Sequence, residues 1–111
     1  MSTRLRPGAE YGGLKKALGA LGYVRPGSLV RRYMPCGKAA CRCASDPQSL
    51  HGPYYQWTTK RHGKTVTVRL TREQARVCAE WTQNHRRLKE LVRRLEELSL
   101  METDRILGLK P

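Results

Sequence analysis

Three cysteines, Cys36, Cys41 and Cys43, lie within eight residues and are followed by His51. Together they are the densest set of chemically capable side chains in the sequence. The spacing, C-x4-C-x-C, is too tight for a disulfide framework and suits metal ligation, where three thiolates and an imidazole complete a tetrahedron around zinc. Gly37 lets the chain turn closely, and Lys38 and Arg42 offset thiolate charge. The loop has almost no apolar residues, so metal binding would be coupled to its folding. With every ligand supplied by protein, the expected zinc is structural. Two other readings stay open: three reduced thiols without metal, or a redox thiolate whose pKa is depressed by Arg42. Cys78 has core spacing between Ala75 and Trp81, and is read as a packed thiol or as a ligand in place of His51.

Catalysis has no comparable constellation. No carboxylates cluster, no nucleophile stands beside a base, and no Gly-rich phosphate loop precedes Lys-Ser/Thr. Asp46 and Glu73, the acids nearest the cysteines in sequence, are not set out as a general base beside an open metal position. A non-enzymatic role is therefore expected.

The elements that must position the cysteines are legible from pattern. Ser28–Met34 reads as a strand, and Cys36–Pro53 as a loop. Tyr54–Lys60 and Lys64–Leu70 read as a hairpin turning over Arg61-His62-Gly63. Val66, Val68 and Leu70 share one face of the second hairpin strand by period two, and Thr65, Thr67 and Arg69 share the other. Tyr55, Trp57 and Thr59 are assigned to the core, which turns Gln56, Thr58 and Lys60 outward. Thr71-Arg72-Glu73-Gln74 is a capping box that opens a helix expected from Arg72 to about Leu100. Leu88, Leu91, Leu95 and Leu98 make a short heptad seam for a dimer, a partner helix or the Met101–Leu109 tail. A short helix over about 13–21 follows a basic arm read as mobile. The predicted fold class is α+β: a small antiparallel three-stranded sheet on a long C-terminal helix, with an inserted cysteine-rich zinc loop. Residues 1–26 are expected to form the arm, 27–85 the binding core and 86–111 a helical extension.

Charge points to the partner. Lys and Arg number 22 against nine acids, a net +13, and 1–72 alone carries +12, with only Glu10 and Asp46 opposing. Such a segment repels itself unless a polyanion usually lies against it. Nucleic acid is the usual cytoplasmic polyanion, and phosphate binding releases counterions. No apolar run approaches a membrane span, and the N-terminus lacks the apolar core of a secretory signal. Cytoplasmic localisation is expected.

The string Gly27-Ser28-Leu29 … Cys36-Gly37-Lys38 … Cys41-Arg42-Cys43 … His51-Gly52-Pro53-Tyr54-Tyr55, with a Gly-Lys hairpin and a long charged helix, resembles a family of small uncharacterised bacterial proteins. That family is often associated with mobile elements, which implies a context but no activity. The strand, the hairpin with Gly63-Lys64, Thr71-Arg72-Glu73-Gln74-Ala75 and Trp81 also look like the sheet-plus-helix arm-binding domain of tyrosine recombinases and the related AP2-type domain. This second resemblance implies a sheet in the DNA major groove, read by Gln56, Thr58, Lys60, Thr65, Thr67 and Arg69. The chain departs from that pattern by its cysteine loop and its longer helix.

These readings converge on a DNA-binding accessory or regulatory factor. Arg31, Arg32, Lys38, Arg42, Arg61 and Lys64 are expected to add cationic contacts to the six sheet residues. The alternatives are an RNA- or ribonucleoprotein-associated protein, with Tyr54, Tyr55 and Trp57 stacking on bases if exposed, and an adaptor that docks a homodimer mate or larger partner through Leu88–Leu98.

Overall fold

The computed structural model describes residues 8–109. Element order is α1 (Ala9–Gly19), β1 (Ser28–Met34), two 3-10 turns (Arg42–Ala44 and Pro47–Ser49), β2 (His51–Arg61), β3 (Lys64–Leu70) and α2 (Arg72–Ile106). The fold is α+β, with one three-stranded antiparallel sheet in the order β1-β2-β3. The described residues divide into two compact units, 25–82 and 8–24 with 83–109, and α2 contributes to both.

The first unit is built on Trp57. Cross-strand partners share a sheet face, so the register puts Leu29, Trp57 and Val68 in one row and Arg31, Tyr55 and Leu70 in the next. Trp57 is only 2% exposed, and its indole N–H donates to the Pro26 carbonyl at 3.1 Å. The Arg25 guanidinium lies 3.8 Å over the ring. Gly27 has φ +127°, and a Cβ there would stand 2.6 Å from the Trp57 Nε1. A side chain at 27 would therefore push the indole off its acceptor. Ala75 and Cys78 on the first turns of α2 are buried as well. Val68 stays 40% exposed, so the apolar face is not closed along its whole length.

The hairpin turn is tighter than the sequence predicts. Arg61 pairs with Lys64, leaving His62 and Gly63 as the loop, with φ of 53° and 77°. Two positive values are those of a type I′ turn, whose twist matches the strands it joins. β2 also starts earlier than expected, at His51 in place of Tyr54. Its extra residues pair only with β1, across a bulge between Arg32 and Met34. Pro53 falls inside that irregularity and past the end of β3, where its missing N–H breaks no ladder bond.

Helix α2 opens on the expected capping box. The Thr71 amide donates to Gln74 Oε1 at 2.9 Å, and the Gln74 amide to Thr71 Oγ1 at 3.1 Å. The helix runs 35 residues to Ile106, beyond the expected end near Leu100, a length of about 52 Å. Nothing in the sequence stops it before Gly108, which takes a left-handed φ of 72°. The tail from Met101 consequently continues the helix as far as Ile106 and does not fold back over the leucine seam.

In the second unit lies α1. It begins at Ala9, earlier than expected, and runs through Gly12 and Gly13. Leu14 of α1 and Leu91 of α2 are buried, with Leu88, Leu95 and Leu98 half-buried. Glu10 pairs with Arg94 at 3.4 Å, and Asn84 donates to the Tyr23 carbonyl at 2.8 Å. The arm read as mobile is helical from Ala9 onward; its first seven residues lie outside those described.

Candidate metal centre and nucleic-acid interface

Strand pairing brings the ends of the cysteine loop together. Met34 at the end of β1 pairs with His51 at the start of β2, so Cys36 begins the loop two residues from the histidine's partner. Gly37, at φ +86°, turns the chain, and the Cys41 amide donates to the Lys38 carbonyl at 3.1 Å. Cys43 lies in the first 3-10 turn. Asp46 caps the second, accepting from the Gln48 amide at 3.0 Å and the Ser49 hydroxyl at 2.9 Å. Gly52 then passes so close to β1 that a Cβ would meet the Arg32 carbonyl at 2.8 Å.

The result is one cluster. The ligand atoms of Cys36, Cys41, Cys43 and His51 all lie within 4.8 Å of one another. Cys41 Sγ is 3.3 Å from His51 Nε2, and Cys43 Sγ is 3.5 Å from Cys36 Sγ. Metal–sulfur bonds of about 2.3 Å at tetrahedral angles place two sulfurs about 3.8 Å apart. The four groups therefore have the spacing and the donor chemistry to hold a metal ion. The Cys36 amide also donates to Cys43 Sγ at 3.3 Å, a contact that favours a thiolate.

The thiols differ. Hydrogen bonds from the Cys43 amide, then from the Cys43 and Cys36 thiols, hold Cys41 below the usual thiol range. At Cys43 the Cys36 amide pulls down, but burial and the neighbouring sulfurs outweigh it and leave the thiol raised. Cys78 is outside the cluster, in the core of the sheet unit. Burial pushes its thiol up against a smaller pull from Arg25. Of the two fourth-ligand readings, the geometry selects His51.

The second candidate surface is the sheet face turned away from Trp57. Register pairs Gln56 with Arg69, Thr58 with Thr67 and Lys60 with Thr65, so the six expected readers share one face. Arg32, opposite Tyr54, joins them from β1. The Arg69 guanidinium stacks 4.0 Å over the Tyr54 ring, and the Thr58 and Thr67 hydroxyls are 3.3 Å apart. The other expected contacts lie elsewhere. Arg31 shares the face of Tyr55, by the same alternation that turns Arg32 outward. Arg61 and Lys64 flank the turn on the Trp57 side, with the Arg61 guanidinium 5.8 Å from that ring. Lys38 and Arg42 are exposed on the cysteine loop. Sequence reasoning passed over Arg25, whose role is to cover Trp57, and Arg72 beside Leu70; neither has a local pattern that marks it.

The profile of one protein family matches residues 4–79. The chain belongs to the DUF6788 family. DUF6788 is described as a domain of unknown function, and its matched segment takes in β1, the cysteine cluster, the hairpin and the first turns of α2. No curated protein and no solved structure matches the chain. Among the described residues, no helix of this DUF6788 member is long and apolar enough to cross a membrane.

Proposed function

We propose that this chain is a non-enzymatic DNA-binding protein that lays its polar sheet face in the major groove. The observation that carries the reading is the register, which gathers Arg32, Gln56, Thr58, Lys60, Thr65, Thr67 and Arg69 on one face without an acid among them. A β-ribbon fits the major groove, where Arg and Lys pair with guanine and Gln with adenine. Of Tyr54, Tyr55 and Trp57, the aromatics that stacking on unpaired RNA bases would use, the register leaves only Tyr54 on this face, and Arg69 already covers it. That favours duplex DNA over RNA.

In this reading the metal is zinc and its role is structural. Tetrahedral thiolate-imidazole coordination is zinc chemistry, and the ion would lock the loop that joins β1 to β2. The resemblance to a family associated with mobile elements supports an accessory or regulatory role beside such an element. The test is fluorescence anisotropy with a labelled duplex at fixed salt. The double variant Lys60→Ala/Arg69→Ala should lose at least about tenfold in affinity, the size of one good base contact plus one phosphate contact. Undiminished duplex binding by that variant, or tighter binding of a matched structured RNA by the native chain, would refute the reading.

A further inference from the structure

On the Trp57 side of the sheet, an open cleft is left at the end where α2 begins. Its floor is the row Arg31, Tyr55 and Leu70, and Tyr33, Thr71 and Arg72 stand at its rim. Two arginines thus face two tyrosines, and no carboxylate lines the space. Among the described residues neither arginine is in an ion pair with an acid. Arg31 is steadied instead by Tyr33, donating to its hydroxyl at 3.2 Å with the guanidinium 5.7 Å from the ring centre. Tyr33 remains 49% exposed, so its ring is open to another planar group. The capping box uses the amides of Thr71 and Gln74, and the first turn of a 35-residue helix adds partial positive charge at the rim.

Cations beside exposed aromatic faces, with no acid present, are the chemistry that holds a single-stranded nucleotide: phosphate on the guanidiniums, base on the ring. We propose that this cleft binds one unpaired nucleotide of a DNA strand, its phosphate between Arg31 and Arg72 and its base against Tyr33. The proposal rests on the nucleic-acid reading above but uses the opposite sheet face. The protein would then grip duplex DNA by one face and a frayed or extrahelical nucleotide by the other, giving it a preference for DNA ends and distorted sites.

Two probes separate the faces: a labelled 5′-phosphorylated deoxythymidine pentamer and a labelled blunt duplex, each titrated with the full-length, metal-loaded protein. Arg31→Gln/Arg72→Ala should weaken pentamer binding about tenfold and leave duplex binding within about twofold. Lys60→Ala/Arg69→Ala should do the reverse. Tyr33→Phe, which keeps the ring and gives up only the hydroxyl that steadies Arg31, should cost less pentamer affinity than Tyr33→Leu, which should lose it, while inorganic tripolyphosphate should compete poorly. Pentamer affinity that survives Arg31→Gln/Arg72→Ala, equal losses on both probes, no pentamer binding by the native chain, or full displacement by tripolyphosphate would each overturn the cleft. Cleft-dependent pentamer binding without duplex binding would instead remove the sheet-face reading and leave the cleft standing.

Discussion

Two of the four cysteines show how position decides the chemistry of the same side chain. Cys43 is buried beside Cys36, Cys41 and His51, whereas Cys78 is buried on α2, one turn from the buried Ala75 and outside that cluster. Cys43→Ser should abolish stoichiometric metal binding and lower the melting temperature to that of the chelated native protein, because metal affinity is folding energy for a loop with so little apolar content. Cys78→Ala should keep full metal content and cost only about 1 kcal/mol, as for a small truncation in a core. Metal analysis after desalting, beside thermal melts with and without a chelator, checks both. A Cys43→Ser protein that still retains one ion would sink the assignment. The cluster was legible in the sequence because ligand type and short spacing are local signals. The choice between His51 and Cys78 was not, since it depends on Met34 pairing with His51 across the sheet.

At the scale of elements, legibility follows how local each constraint is. β1 and β3 have the bounds that β-branched content and alternation indicate, and the capping box forms as its four residues specify. β2 reads short because Gly52 and Pro53 look like breakers, and only the bulge opposite β1 accommodates them. Likewise Gly12 and Gly13 argue against a helix in isolation, yet α1 includes them, burying Leu14 and pairing Glu10 with Arg94 of α2. The stripe itself was visible, but what covers it was not. Leu91 is 1% exposed while Val92 beside it is 38% exposed. Leu91→Ala should therefore destabilise the protein by about 2–4 kcal/mol, and Val92→Ala should stay within about 0.5 kcal/mol. Denaturant unfolding of the two variants distinguishes them. Equal, small effects would mean that the helical unit is held by something other than this seam.

Over the whole molecule the decisive quantity is the uneven charge, +12 in 1–72 and +1 in the rest. The total was readable from composition, but its distribution over surfaces was not, because alternation splits adjacent cations: Arg32 faces the polar side and Arg31 the cleft. In the second half the balance is local, with Arg93 between Glu90 and Glu97 and Arg105 beside Glu102. Those exposed pairs contribute little to stability, but the seven acids of α2 against its eight cations hold its net charge to +1. A merely solvated basic surface and a DNA-binding one differ in how affinity depends on salt, since each neutralised phosphate releases about 0.9 counterion. Arg32, Lys60 and Arg69 on the polar face, with Arg61 and Lys64 at the turn, would engage about three to five phosphates. A plot of log affinity against log salt for a blunt duplex should then have a slope of about −2.7 to −4.5. Removing Lys60 and Arg69, one phosphate contact and one base contact, should flatten it by about one, whereas removing Arg86 and Arg87 from α2 should leave it unchanged. A slope near zero would mean that the basic charge engages no phosphates, and one equally sensitive to the α2 pair that the charge acts diffusely and the sheet has no privileged face.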